Sequence, residues 1–167
     1  MTLTFHEDTN RLEKCFQCLD ILAHHQVDVG LPSSAGGGLA FILGIQEHGA
    51  PIMRIPPRPV VRPALKNEAT REAMTEALGE GVSAAMRGDA SGAEGCFAAA
   101  GQAGADGIRR YIDEGVPPPN SPVTVSGGWI YNRVAKKGVY VGGKGINKPL
   151  FDTGALYSAF GYEVKDR

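Results

Sequence analysis

The chain has 167 residues, 43% of them hydrophobic, and its formal net charge is −1. This length suits one domain with its own core, and a charge near zero excludes binding to nucleic acid or membranes through net charge alone. The 23 glycines and 11 prolines predict long irregular segments between few regular elements. The first residues lack a signal-peptide pattern, and no run of 18 apolar residues occurs that could span a membrane. We therefore expect a reducing cytoplasm, where the three cysteines are free thiols.

The first elements are predicted from hydrophobic periodicity. From Thr9 to His25 apolar residues recur at steps of three and four, which predicts an amphipathic helix. Residues 26–30 alternate with valines on one face and predict a strand, and residues 32–38 predict a flexible loop. Residues 39–48 form a short apolar segment that fits either a strand or a buried helix.

Cys15 and Cys18 form a CxxC pair inside the first predicted helix. Zinc is one interpretation, with His24 or His25 as further ligands. However, the pair falls on the apolar face of the helix, where cysteines behave as small hydrophobic residues. We therefore expect core packing and no metal.

A proline-rich segment follows, with five prolines between Pro51 and Pro63. Because proline fixes φ and has no N–H, residues 50–63 are predicted to form an extended arm. Cations recur every four residues along it, at Arg54, Arg58, Arg62 and Lys66. A stiff cationic arm suits docking to another protein or to phosphate, and the alternative is a crossover packed on its own domain.

Residues 64–87 and 93–114 are predicted to form two helices joined by a turn, an αα-hairpin. The second is rich in alanine and glycine, which indicates close backbone packing because intrinsic helix propensity would be poor. One face of the first carries an acidic stripe, defined here as Glu68, Glu72, Glu76 and Glu80. The stripe is either a docking face for a basic neighbour or a solvated outer face.

Residues 116–149 are predicted to form a flexible loop with β-prone pieces at 123–125 and 139–141, and residues 156–165 a terminal strand. Between Val116 and Leu150 the chain has five cations and no acid. The expected fold class is α+β. It comprises a small mixed or antiparallel sheet, an N-terminal helix, a long helical hairpin, and extended Pro-rich and Gly-rich loops, all in one domain over residues 1–167.

Two short patterns resemble reaction centres. Residues 138–144 nearly match a phosphate-binding loop, but Gly145 stands where a Ser or Thr would hold magnesium, and residues 145–149 begin a helix poorly. Asp152-Thr153-Gly154 matches the aspartic protease triplet, yet it fits a turn or helix cap better. We predict no catalytic residue, metal or cofactor. A phosphate-binding or hydrolytic enzyme that uses the 138–145 loop is the alternative.

Two longer motifs resemble a known family. Gln46-Glu47-His48-Gly49 precedes the segment Ile55-Pro56-Pro57-Arg58-Pro59-Val60-Val61-Arg62-Pro63-Ala64-Leu65, and the chain closes with Lys148-Pro149-Leu150-Phe151-Asp152-Thr153-Gly154-Ala155-Leu156-Tyr157-Ser158. In order and spacing these are similar to the neck and tail-completion proteins of tailed bacteriophages, over roughly residues 26–165. Neither motif is catalytic, so the resemblance implies assembly and no enzymatic reaction.

The resemblance implies a structural virion protein that joins head to tail, with a role as neck connector, tail terminator or tail-completion protein left open. It implies a homo-hexameric ring in the virion, made in the host cytoplasm, that contacts other neck, connector and tail-tube proteins and no membrane. A small DNA-binding assembly factor outside the particle is a further alternative. Residues expected at subunit or partner interfaces are Arg54, Pro57, Arg58, Pro59, Arg62, Glu72, Glu76, Asp152, Thr153 and Gly154. Residues expected to touch channel DNA or the next ring are Arg133, Lys136, Lys137 and Lys144.

Overall fold

A computed structural model describes residues 9–132 and 135–167, without the side chain of Thr9. The helices are α1 (Thr9–His24), α2 (Gly37–His48), α3 (Val61–Lys66), α4 (Glu68–Met86), α5 (Ala90–Glu114), α6 (Pro122–Ser126) and α7 (Ala155–Ala159). The strands are β1 (His25–Gly30), β2 (Gly128–Asn132), β3 (Lys137–Val141) and β4 (Gly161–Asp166). This content confirms the α+β class.

The chain divides into two compact units, each built from separate stretches of sequence. Unit 1 has residues 9–32, 65–107 and 161–167 among those described, and unit 2 has residues 33–64 and 108–160 with a gap at 133–134. Each unit contains one antiparallel two-stranded sheet: β1 with β4 in unit 1, and β2 with β3 in unit 2.

In unit 1, α1 packs against α4 and leads directly into β1. The predicted helix and strand at the start of the chain are both confirmed. Cys18 is buried with Ala85 and Ala93, beside the partly buried Leu22. The predicted core packing is therefore confirmed for Cys18, whereas Cys15 is only half-buried, and all three cysteines are free thiols.

Helices α4 and α5 form the predicted αα-hairpin, and glycine lets them approach closely. A Cβ atom on Gly81 would lie 2.3 Å from the Cys96 sulfur, and one on Gly107 would lie 2.4 Å from the Thr70 methyl carbon. No real Cβ contact is that short, so a side chain at either position would push the helices apart. The small residues in this hairpin are thus used for close packing, as the sequence predicted.

In unit 2, β2 and β3 pair in register, with Trp129 opposite Tyr140 and Ile130 opposite Val139. Helix α2 contacts α7. The buried apolar side chains of this unit are Val60, Ala64, Ile108, Ile112, Val116, Leu156 and Phe160. Residues 39–48, left open between strand and helix, belong to α2, which begins at Gly37 inside the predicted loop.

The proline-rich segment differs from the predicted extended arm over residues 50–63. Residues Pro51–Met53 form a 3-10 turn that is closed by a bridge between Ala50 and Ile55, and α3 begins at Val61. Pro63 is the third residue of α3, where a backbone N–H would have no acceptor within the helix, so proline is tolerated there. Only the residues between Ile55 and Val61 match the prediction of an extended chain.

Local caps explain two further corrections. The predicted helix over 64–87 is broken at Asn67, which leaves helical geometry and accepts a hydrogen bond from the Ala69 amide to cap α4. Residues 123–125 are helical because Ser121 caps α6 and Pro122 occupies its first position. The predicted loop over 116–149 thus contains α6 and the β2–β3 hairpin, and the predicted strand over 156–165 begins only after α7.

The α4–α5 contact yields a matched pair of substitutions on one helix. Gly81→Ala should destabilise the protein by about 1–3 kcal/mol because its methyl overlaps Cys96. Gly79→Ala, with no atom within 4 Å of its new Cβ, should stabilise by roughly 0.5–1 kcal/mol through reduced backbone entropy. Urea unfolding followed by circular dichroism measures both, and equal effects of the two variants would contradict the tight contact.

Candidate functional site

Glu47, from the first motif, holds the start of α3. One of its carboxylate oxygens accepts hydrogen bonds from the backbone N–H groups of Val60 and Val61, each at 2.8 Å. These amides stand at a helix N-terminus, where intrahelical acceptors are missing and negative charge is favoured. The carboxylate is therefore occupied by the backbone of its own unit.

Gly49 allows the chain to reverse direction after α2. Its φ is +74°, and a Cβ at this position would lie 2.8 Å from the Ile55 carbonyl oxygen and from the Pro57 nitrogen. Only glycine combines this backbone angle with so close an approach. The backbone N–H of Arg58 also donates to the Gln46 carbonyl at 2.6 Å, so the segment after the turn lies back along the end of α2.

Arg58 was expected at a subunit interface, and the structure places it inside unit 2. Only 8% of the residue is exposed. Its Nε donates to the Pro118 carbonyl at 2.7 Å and its Nη2 donates to the Pro119 carbonyl at 3.0 Å. Burial lowers the pKa of the guanidinium, which nevertheless stays protonated at neutral pH. Arg58 thus joins two proline-rich segments of its own chain and is not available to a neighbour.

The remaining predicted interface residues of the arm point outward. Arg54, Pro57, Pro59 and Arg62 are all exposed. Arg54 has a left-handed backbone angle, φ +58°, where it ends the 3-10 turn. Their predicted role at a subunit interface therefore remains a prediction. The four residues lie on the folded surface of unit 2 and not on an extended arm.

The closing motif contributes to a polar cluster with α5. Lys148 Nζ lies 2.5 Å from Asp113 Oδ1, and the Tyr157 hydroxyl donates to Asp113 Oδ2 at 2.9 Å. The hydrogen bond from Lys148, followed by that from Tyr157, lowers the pKa of Asp113, and the bond to Asp113 raises the pKa of Tyr157. The sequence gives no sign of this cluster, because Lys148 and Tyr157 lie 35 and 44 residues from Asp113 along the chain.

Asp152-Thr153-Gly154 forms a turn before α7, as the sequence indicated. Gly154 has φ +79° at the N-cap position, and Thr153 Oγ1 accepts from the Ala155 amide at 3.3 Å. Asp152 and Thr153 are exposed, and Asp152 pairs with Lys144 at 3.2 Å. Like the hydrogen bonds of Arg58, this ion pair joins predicted site residues to partners that sequence spacing did not indicate.

The β2–β3 hairpin presents an unexpected aromatic face. Trp129, Tyr131 and Tyr140 are 74%, 66% and 59% exposed. Strand alternation and the pairing of Trp129 with Tyr140 place the three on one side of the hairpin. Lys136 and Lys137 are also exposed. Lys137 is paired with Asn132, so strand alternation places it on the opposite side of the hairpin from the three aromatic residues, and Arg133 lies outside the described residues.

The glycine-rich segment after β3 does not have the geometry of a phosphate-binding loop. The amides of Lys144 and Gly145 donate to the carbonyls of Thr124 and Val125, both at 2.9 Å, so they are not directed at a ligand. The next helix along the chain is α7, which begins at Ala155. The enzyme alternative therefore gains no support from this segment.

The acidic stripe lies on the exposed side of α4, with Glu72 and Glu76 open to solvent.

Over residues 9–132 and 135–167, no group of three or more His, Cys, Asp and Glu side chains could hold a metal ion. Within the same residues, every helix is too short or too polar to cross a membrane. No family model, curated protein or solved structure matches the chain.

The buried role of Arg58 predicts unequal effects of two arginine substitutions. Arg58→Ala should cost about 2 kcal/mol of unfolding free energy, since the carbonyls of Pro118 and Pro119 lose charged donors. Arg58→Lys should recover only part of this, because an ammonium cannot reproduce the fork of donors. The exposed Arg62→Ala should stay within about 0.5 kcal/mol. Chemical denaturation measures the unfolding free energy of the three variants. If Arg58 were a surface residue, Arg58→Ala and Arg62→Ala would have equally small effects.

The lowered pKa of Asp113 predicts a pH dependence of stability. The carboxylate is favoured in the folded state, so its contribution is present above the ordinary pKa of 3.8 and is lost as pH falls through the lower folded value. The stability difference between wild type and Asp113→Asn should therefore shrink on acidification from about pH 6 to about pH 2.5. Urea midpoints across this range measure it, and Lys148→Met should reduce the same dependence. A difference that does not vary with pH would contradict the cluster.

Proposed function

We propose that this chain is a structural subunit of a tailed-phage neck, where copies form a ring that completes the tail and joins it to the head. Its role is to make contacts between copies and with adjacent rings. The resemblance of two motifs to neck and tail-completion proteins supports the location. The features of the folded chain support assembly as the activity.

The proposal rests on one observation: both units expose many large apolar side chains. Unit 1 exposes Leu12, Phe16, Leu78, Val82 and Met86, and unit 2 exposes Phe41, Ile42, Ile52, Met53, Trp129 and Tyr131. In α2, the segment Gly37–His48 has no buried residue although much of it is apolar. Clustered exposed apolar side chains are typical of surfaces that bind other proteins.

The use of the two motifs also supports a structural role. Glu47, Gly49 and Arg58 hold the reversal after α2, while Lys148 and Gly154 hold the segment that leads into α7. Each of these residues is engaged with its own chain. Motifs whose residues stabilise the fold are expected in a family whose members share an architecture and not a reaction.

Charged surfaces provide complementarity between copies. Arg54 and Arg62 are exposed on unit 2, and Glu72 and Glu76 are exposed on unit 1. A head-to-tail contact between unlike surfaces repeats around an axis and closes into a ring when the rotation permits. We assign Lys136, Lys137 and Lys144 to contacts with DNA phosphates or the next ring, which require no base recognition.

Purified protein should form rings with a central opening in negative-stain electron micrographs, and native mass spectrometry should give a single subunit number, six by the family resemblance. Immunogold labelling of particles that contain the chain should mark the junction of head and tail. A chain that stays monomeric at every concentration, or label absent from particles, would overturn the proposal.

A further inference from the structure

The two units of the chain carry opposite net charges. Over residues 33–64 and 108–160, unit 2 has ten Lys and Arg against four Asp and Glu, which gives a net charge of +6. Over residues 1–32, 65–107 and 161–167, unit 1 has seven against fourteen, which gives −7. The near-neutral charge of the whole chain therefore conceals a basic unit, and a positive field of this size attracts polyanions to unit 2.

Of the four acids of unit 2, one lies beside a cation of the glycine-rich segment after β3. The Glu47 carboxylate is bound by backbone amides, and that of Asp113 belongs to the polar cluster with α5. Glu114 is exposed and, within residues 9–132 and 135–167, forms no ion pair. Asp152, by contrast, pairs with Lys144. Asp152 is thus the acid that is placed to neutralise a cation of this segment.

The ion pair between Lys144 and Asp152 lies at the surface of unit 2. Lys144 Nζ and Asp152 Oδ1 are 3.2 Å apart, and the two side chains are 41% and 68% exposed. An exposed pair of this kind contributes at most about 1 kcal/mol, because water solvates both charges well when the pair opens. Another anion that reaches Lys144 can therefore replace the carboxylate at little cost.

The backbone on both sides of this ion pair is held by other contacts. The amide of Lys144 donates to the Thr124 carbonyl at 2.9 Å, which fixes the segment to α6. The turn that carries Asp152 is set by Gly154, whose φ is +79° at the start of α7. Opening of the pair therefore requires rotation of two exposed side chains and no change of the backbone.

Lys148, four residues further along the chain, is held much more firmly. Its Nζ lies 2.5 Å from Asp113 Oδ1, and also 5.0 Å and 5.7 Å from the ring centres of Phe151 and Tyr157. A carboxylate and two aromatic rings together stabilise one ammonium by charge and by cation–π interaction. Lys148 therefore serves the fold, and Lys144 is the cation that a ligand can reach.

We propose that Asp152 is an autoinhibitory group, which occupies Lys144 in place of a nucleic-acid phosphate and is displaced when DNA binds. A carboxylate and a phosphate offer the ammonium the same kind of charged oxygen acceptor, so the two compete for Lys144. DNA binding by unit 2 is therefore weaker than its charge alone would give. The inference deepens the proposed function and rests on it for the assignment of Lys144 to DNA phosphates.

Two variants that each remove one negative charge separate release of Lys144 from a change in net charge. Asp152→Asn breaks the ion pair, and Glu114→Gln, at an exposed acid of the same unit, is the matched control. Fluorescence anisotropy with a labelled duplex DNA measures the affinity of each. Asp152→Asn should bind about threefold more tightly than wild type at low salt, the size expected for an exposed ion pair. Its plot of log K against log salt should steepen by about 0.9, the slope of one added phosphate contact. Glu114→Gln should change both quantities far less.

Lys144→Gln completes a double-mutant cycle. In that background Asp152→Asn should act only through net charge, like Glu114→Gln. Equal gains from Asp152→Asn and Glu114→Gln overturn the inference, as does a gain from Asp152→Asn that persists without Lys144. A lack of DNA binding by wild type and Asp152→Asn alike overturns it as well. Rings at the phage neck alongside any of these results would leave the proposed function standing without this inference. The expected cycle in a chain that never forms rings would leave the inference standing without that function.

Discussion

Unit 2 depends on the hydrogen bonds that compensate for its prolines. Proline donates no backbone N–H, so packed proline-rich segments need partners supplied by side chains. Arg58 supplies two donors to the carbonyls of Pro118 and Pro119, and Glu47 supplies the acceptor for the amides that open α3. Through these bonds the segment between α2 and α3 is held against the segment after α5.

This arrangement determines which residues of the proline-rich segment remain for a neighbour. Arg58 is engaged inside, while Arg54 and Arg62, four residues to either side, are exposed. Unit 1 is held differently, by glycines that bring α4 and α5 into close contact, and its buried side chains are mostly small, with Phe97 as the large exception among the described residues. Cores that bury few large side chains leave apolar surface free for assembly, which is the physical basis for proposing a subunit of a larger structure.

Much of the fold was predictable from local pattern. The helix over 9–24, the strand after it and the αα-hairpin follow from periodicity and from the small residues of α5. The turn at Asp152-Thr153-Gly154 follows from the backbone freedom of glycine. Errors fell where a cap outweighed composition, at Asn67 and Ser121, and where a proline stood in the first turn of a helix, at Pro63.

The sequence by itself determined the α+β class, most of the regular elements and the packing role of Cys18, because these depend on the order of apolar, small and helix-terminating residues along the chain. Only the tertiary structure decided that Arg58 is buried while Arg62 is exposed, and that Lys148 and Tyr157 meet Asp113. It also decided that Phe16 and Trp129 stay uncovered. Exposure and long-range pairing depend on how distant segments meet, and a periodic pattern records that a face is apolar without recording what covers it.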